Sequence, residues 1–322
     1  AKINTIIMIA KLFKRFSVYS ALFSLSLLCL LSYLYSIPEM HAFAFTTRMF
    51  NFFAIFVLLT ITLNSLRRIF KHSKIEKRSH YYLFLYPIIL FSFPVDHFDI
   101  RILASSTLFF AGWASFREHI ASKNSLSSSS SITKLFDTTI LVSFSSVIYF
   151  ENIFLLLFPL LALIFSKKNI SRQELGVIFI VPLLILFTFR QLILAFELEL
   201  FFFLSIIEEY NFSFLNTYNS SFFYAKPDML IIFILFIVSA LIGIRNKSDY
   251  DSKTLDYDGL AYCLILLLII GFSNSLSNML LYYMSLPLTY YINAIFVLNK
   301  KAILANFLII LLTINFLLFN FA

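Results

Sequence analysis

The run MFNFFAIFVLLTITLNSL, residues 49–66, carries no charged side chain and stops against RRIFKHSK, residues 67–74. As an α-helix the run is about 27 Å long at 1.5 Å per residue, close to the roughly 30 Å hydrocarbon core of a bilayer. Its polar members are small amides and hydroxyls scattered among Phe, Ile and Leu, with no solvated charged face. Short segments dense in Lys and Arg resist translocation, so the basic stretch marks the cytoplasmic end of the helix. Together the two stretches define a transmembrane helix and its orientation.

Windows of the same kind recur outward in both directions. Eleven are found, at approximately 17–36, 49–66, 80–95, 102–116, 137–150, 152–166, 175–190, 228–244, 259–273, 279–298 and 302–320. The third to seventh are short, so the count is about eleven within a range of nine to twelve. The expected fold is all-α, a polytopic transmembrane helical bundle. Composition agrees: 60% of the 322 residues are hydrophobic and 13% charged, against roughly 25% charged in a soluble domain. Two cysteines exclude a disulfide scaffold, and Cys29 and Cys263 both read as small packing residues.

With the N-terminus inside, the basic residues fall on alternate connections. All but Arg48, Arg101, Arg190 and Lys226 of the 25 lie on the inner face. The net charge of +8 therefore reads as a record of orientation, with contact to anionic headgroups, and no nucleic-acid partner is expected. The C-terminus is then outside. The N-terminal basic and apolar stretch fits a signal anchor better than a cleaved peptide, because its apolar part exceeds the usual 7–15 residues or so; Met8 is an alternative start.

The chain reads as one integral membrane domain with two helical groups, 1–122 and 135–322, joined by a Ser-rich cytoplasmic linker at 123–134 that contains Ser127 to Ser131. The outside segment 191–227, with Glu197, Glu199, Glu208 and Glu209 among Leu and Phe, suits a helix lying in the interface. No internal repeat is evident, and the spans are nearly free of charge, which gives a transporter little support.

Phosphate-binding loops, dinucleotide fingerprints and zinc signatures are absent from the sequence, and five glycines leave little room for glycine-rich loop chemistry. No metal site is expected and no cofactor is named. Outside polar residues are few. Glu39, Arg48 and His41 lie between the first two spans, and Asp96, His97, Asp99 and Arg101 between the third and fourth. Glu151 follows the fifth span, and Arg190 ends the seventh. If these ends converge, Glu39, Asp96 and Asp99 are the candidate bases, and Arg48, His97, Arg101 and Arg190 the candidate ligands of an anionic substrate. Each has a plainer role open to it: Asp99 as a helix cap, Glu39 in a first turn after Pro38, Arg190 snorkelling to the interface. His72, His80 and His119, in or beside basic inside loops, read as solvated.

The segment SSVIYFENIF at 145–154, the Leu/Phe-rich stretch to Phe165, the basic turn Ser166-Lys167-Lys168, and Arg172-Gln173-Glu174-Leu175 with Pro182 beyond it resemble uncharacterised polytopic inner-membrane proteins of Bacteroidota. The N-terminal IAKLFKRF at 9–16 agrees. The pattern is distantly similar to C-type membrane glycosyltransferases, which use polyprenyl-phosphate-linked sugars. That resemblance implies an acidic base in the first outside loop and further acidic and basic residues after the third span. Glu39, Asp96 and Asp99 stand at comparable positions, although the first outside loop is short and lacks a paired acid. The expected function is cell-envelope assembly on a lipid-linked glycan at the outer leaflet. The alternative is a non-catalytic membrane subunit or scaffold with other membrane subunits as partners.

Overall fold

The computed structural model describes residues 18–36, 45–71, 80–91, 100–122, 128–165, 170–195, 259, 261, 262, 265, 282–290, 292 and 293. Seven α-helices and one 3-10 helix are bounded among these residues, and none of them lies in a strand. The α-helices are α1 (Val18–Tyr35), α2 (Phe45–Lys71), α3 (Tyr82–Phe91), α4 (Ile100–Ser122), α5 (Ser128–Ile148), α6 (Phe158–Phe165) and α7 (Arg172–Ala195). The 3-10 helix, Phe150–Leu157, runs directly into α6. Residues 282–290 are also helical. The molecule is a polytopic helical bundle. Met49–Lys71, Ser131–Ile148 and Arg172–Leu192 are long and apolar enough to cross a membrane, and Val18–Leu34 and Asn152–Phe165 are shorter apolar helices.

The windows at 17–36, 49–66 and 175–190 fall on α1, α2 and α7. Those at 228–244 and 302–320 lie outside the described residues, and those at 259–273 and 279–298 are described in part. Elsewhere the boundaries differ. Window 152–166 is divided between a 3-10 helix and α6. Ser128 to Lys134, read from sequence as part of the linker, form the first turns of α5. A serine run is a weak helix former by itself, but here it leads into the apolar period of α5 and Ser131 is buried. Residues 123–127 lie outside the described residues.

On α1 and α5 the buried side includes many small polar residues, while large apolar side chains are exposed. On α1 the buried stripe contains Ser20, Ser24 and Ser32 with Leu28 and Leu31, while Val18, Tyr19, Leu22, Phe23 and Leu30 are exposed. Cys29 lies on that exposed face, so it does not pack inside as its apolar character led one to expect. On α5, Thr138, Thr139, Ser143, Ser145 and Ser146 are buried, and Phe136 and Phe144 are exposed. Small polar side chains let helix backbones approach closely, which is how helices associate where the solvent is itself apolar. Many of these hydroxyls donate to a carbonyl one turn back, as Thr62 does to Leu58 and Ser143 to Thr139, and so need no water.

Two compact units are distinguished: residues 1–98, 219–251 and 281–322 in the first, and 99–218 and 252–280 in the second. In the first, α1 packs on α2 and α3. Proline at position 87, inside α3, has no N–H for the Leu83 carbonyl four residues back. The Ser24 hydroxyl of α1 donates to that carbonyl at 2.6 Å. A neighbouring hydroxyl thus satisfies the group that proline leaves open. Phe70, at the end of α2, lies between Tyr82 at 5.0 Å and Tyr290 at 5.2 Å between ring centroids.

The second unit is organised by an antiparallel pair, α4 and α5. Contacts recur every seven residues along both helices, in opposite directions. Ser105 meets Ser145, Gly112 meets Thr138 and Val142, and His119 meets Ser131. At Gly112 the backbones are so close that a Cβ would sit 3.1 Å from Val142 Cγ2 and 3.3 Å from the Thr138 carbonyl oxygen. α7 also packs on α5.

Candidate functional site

Glu39, Asp96, His97 and Asp99 lie outside the described residues. Arg48 falls in the first turn of α2, Arg101 is exposed in the first turn of α4, and Arg190 is exposed near the end of α7. Glu151 falls in the 3-10 helix. The polar chemistry that the described residues do bring together lies elsewhere, at the two ends of the α4–α5 pair.

At one end is His119, expected in solvent and in fact 0% exposed. It sits in the last turn of α4, on the stripe Ser105, Phe109, Gly112, Phe116, His119 that is buried against the bundle. The ring is fixed on both edges. Its Nδ1 is 2.7 Å from the Ser131 carbonyl oxygen and 2.8 Å from the Ser131 hydroxyl. Its Nε2 is 3.1 Å from Glu174 Oε1. That approach is at ion-pair distance but off the line of a hydrogen bond. Glu174, 3% exposed, is held by its own helix. Its Oε2 accepts from the Ser171 N–H at 2.7 Å, while its N–H donates to Ser171 Oγ at 3.2 Å. This is a capping box, two open donors at a helix start satisfied reciprocally. The signal was present as Ser171-x-x-Glu174. Nearby, Lys134 and Glu118 pair at 3.2 Å in a partly exposed position, where such a pair contributes little.

The partners settle the protons. A carbonyl oxygen only accepts, so Nδ1 carries a hydrogen. Serine, histidine and glutamate are the residue types of a nucleophilic triad, yet this one cannot work as such. The nitrogen that faces the Ser131 hydroxyl already holds a proton committed to the carbonyl, so it cannot take the serine's. The serine is itself buried. What the arrangement does is tie α4, α5 and α7 together.

At the other end, Ser105 donates to the Ser145 carbonyl at 2.7 Å and contacts the Ser145 hydroxyl at 2.9 Å. The Asn152 amide, in the 3-10 helix, donates to Ser105 Oγ, and Ser146 donates to the Asn152 carbonyl at 2.9 Å. Asn152 is fully buried, so the turn between α5 and α6 is stitched to α4. Between the two polar ends lies an aromatic cluster. Phe158 is 5.3 Å from Phe109 and 5.2 Å from Trp113, and Tyr262 is 5.1 Å and 4.8 Å from the same two rings. These spacings are those of ordinary aromatic packing.

Among the described residues, no group of three or more His, Cys, Asp or Glu is placed to hold a metal ion. No protein-family model, curated protein or solved structure matches the chain.

Proposed function

We propose that the chain is a multi-pass inner-membrane protein of cell-envelope assembly, acting there as a non-catalytic membrane subunit or scaffold. It crosses the bilayer about eleven times, with its N-terminus inside and its C-terminus outside. The observation that carries this reading is the burial pattern of α1, α5 and α7. On α1 and α5 most of the described serines and threonines are buried, beside Leu28, Leu31, Leu135 and Val142, and on α7 Glu174 is buried with Ile178 and Val181, while large apolar side chains such as Leu22, Phe144 and Leu183 are exposed. Exposed apolar surface on that scale needs lipid or other helices to cover it. The buried polar groups, in turn, are engaged in holding helix to helix, as at Ser105–Ser145 and His119–Glu174.

A second reading rests on Arg101 and Arg190, both exposed on their helices. Guanidinium groups suit the phosphate of a polyprenyl-phosphate-linked glycan, with Glu39, Asp96 or Asp99 as base. The resemblance to C-type membrane glycosyltransferases supports it.

One experiment separates the two. Asp96→Ala and Asp99→Ala chains are expressed in the native membrane, and envelope glycan is profiled beside the amount of protein that resists alkaline extraction. Unchanged glycan with full membrane retention is expected for a subunit. Loss of glycan at normal expression overturns that reading in favour of the enzyme, and release of the chain by alkali overturns both.

A further inference from the structure

We propose that residues 150–157 are a two-point clamp, kept in the 3-10 form by Asn152 at one end and Phe158 at the other, which rewinds into an α-helix when Asn152 is released from α4. This holds for either reading of function.

The local sequence does not ask for a 3-10 helix. The segment Phe150–Leu157 is eight residues long, whereas 3-10 runs longer than about three or four are uncommon. Its sequence FENIFLLL has no Gly or Pro and ends in three leucines, which are among the best α-helix formers. It also passes without a break into α6. Yet its backbone bonds close over three residues at both ends. The Asn152 N–H donates to the Tyr149 carbonyl at 3.0 Å, and the Phe158 N–H donates to the Leu155 carbonyl. Pro159 follows, and it has no N–H to give Leu155 in the α pattern. Proline alone is not the cause, because α3 and α7 stay α-helical through Pro87 and Pro182.

What sets 150–157 apart is that both ends are fastened to α4. The Asn152 amide donates to Ser105 Oγ, and the Phe158 ring packs on Phe109 and Trp113. Two fixed points six residues apart decide the winding. A 3-10 helix turns about 120° per residue, so Asn152, Leu155 and Phe158 come up on one edge. All three are fully buried, while Ile153, Phe154 and Leu156 are partly exposed and Leu157 is exposed. At the α-helical turn of about 100° per residue, Asn152 would stand about 120° away from Phe158. Phe154, one α-turn before Phe158, would take its place towards α4. Only the tighter winding lets the amide and the ring face α4 together.

The α form is also shorter, by about 3 Å between positions 152 and 158, because the rise falls from about 2.0 to about 1.5 Å per residue. Release of Asn152 therefore exchanges a polar contact for an apolar one and draws the end of α5 towards α6. A movement that parts α4 from α5 at Ser105–Ser145 is passed on to α6 by this route. Each rewinding breaks and remakes the segment's hydrogen bonds, so its amides exchange faster as well.

Oriented-sample solid-state NMR of the full 15N-labelled chain in aligned bilayers reads the rotation per residue directly. The native chain should show about 120° over 151–157 and about 100° over 105–116 of α4, the internal reference. Asn152→Leu removes the amide and should bring 151–157 to about 100°. Ser105→Ala removes the acceptor from the α4 side, leaves Asn152 in place and should do the same. Pro159→Ala restores the missing N–H but keeps both anchors, so it should stay at about 120°. The α4 reference reports whether each variant has folded, and where Asn152→Leu loses it, Ser105→Ala decides. The proposal is overturned by a native segment already at about 100°, by anchor variants that keep the native winding with α4 intact, or by conversion in Pro159→Ala.

Discussion

Removing the Ser24 hydroxyl should destabilise the first unit more when Pro87 is present than when it is replaced. The hydroxyl is the donor to the Leu83 carbonyl at 2.6 Å, and Ser24 is buried at 1% exposure. In Ser24→Ala that carbonyl is left in an apolar interior where neither water nor the Pro87 nitrogen can reach it with a hydrogen. An unsatisfied buried acceptor costs about 1–3 kcal/mol. Pro87→Ala restores an N–H one turn along α3, which can take over the bond. In that background Ser24→Ala should cost no more than about 0.5–1 kcal/mol, the ordinary net value of a hydrogen bond. The coupling energy is then about 1–2 kcal/mol, a shift of roughly five- to thirtyfold in the folded-to-unfolded ratio. Detergent-driven equilibrium unfolding in mixed micelles, followed by hydrogen exchange at residues 82–91, measures all four chains. Trp113 belongs to the second unit, so its fluorescence is the control and should not move. Equal costs of Ser24→Ala in both backgrounds, within about 0.5 kcal/mol, would refute the idea that the serine stands in for the proline's missing donor.

Two further outcomes follow from the second unit. Gly112→Ala should destabilise α4 against α5 by about 1–3 kcal/mol through overpacking, read by Trp113 fluorescence on unfolding. Val142→Ala should recover only part of that loss, because the Thr138 backbone oxygen at 3.3 Å remains in place. Asn152→Ala should cost about 1–3 kcal/mol by leaving the Ser105–Ser145 contact without its third member, and hydrogen exchange should rise first in the 3-10 helix 150–157.

The length and apolar character of α2 and α7 were plain in the sequence, because a charge-free run bounded by arginines has few other meanings. What hydropathy could not reveal is which way each helix faces. In a lipid environment the buried stripe is the serine-rich one, so the usual rule that apolar residues point inward misplaces Cys29 and overlooks Ser24. His119 was misread for a related reason. It stands among Arg117, Glu118 and Lys123, and a charged neighbourhood normally means water. The seven-residue spacing from Ser105 through Gly112 to His119 was the better guide, since it puts the imidazole on the packed face of α4. The Ser171-x-x-Glu174 box was also legible, though only as a helix start; that its carboxylate has a second oxygen to spare for another helix is a fact of tertiary structure. The outside acids Glu39, Asp96 and Asp99 fall beyond the described residues, and their roles rest on the experiments above.

The seven-residue ladder along α4 and α5 has one more consequence. Its rungs stand about 10.5 Å apart along each axis, and they differ in kind: a hydroxyl pair, a bare glycine under a valine, and an imidazole on a carbonyl. Sliding one helix past the other by a single turn, about 5.4 Å, would unseat all of them at once and drive the Val142 side chain against a residue bulkier than glycine. The hairpin consequently has one seat and no half-seated neighbours. It should enter the bilayer and assemble as a single step, and an insertion of a few residues in the middle of either helix should abolish the pairing outright, whereas one in the 123–127 connection should leave it intact.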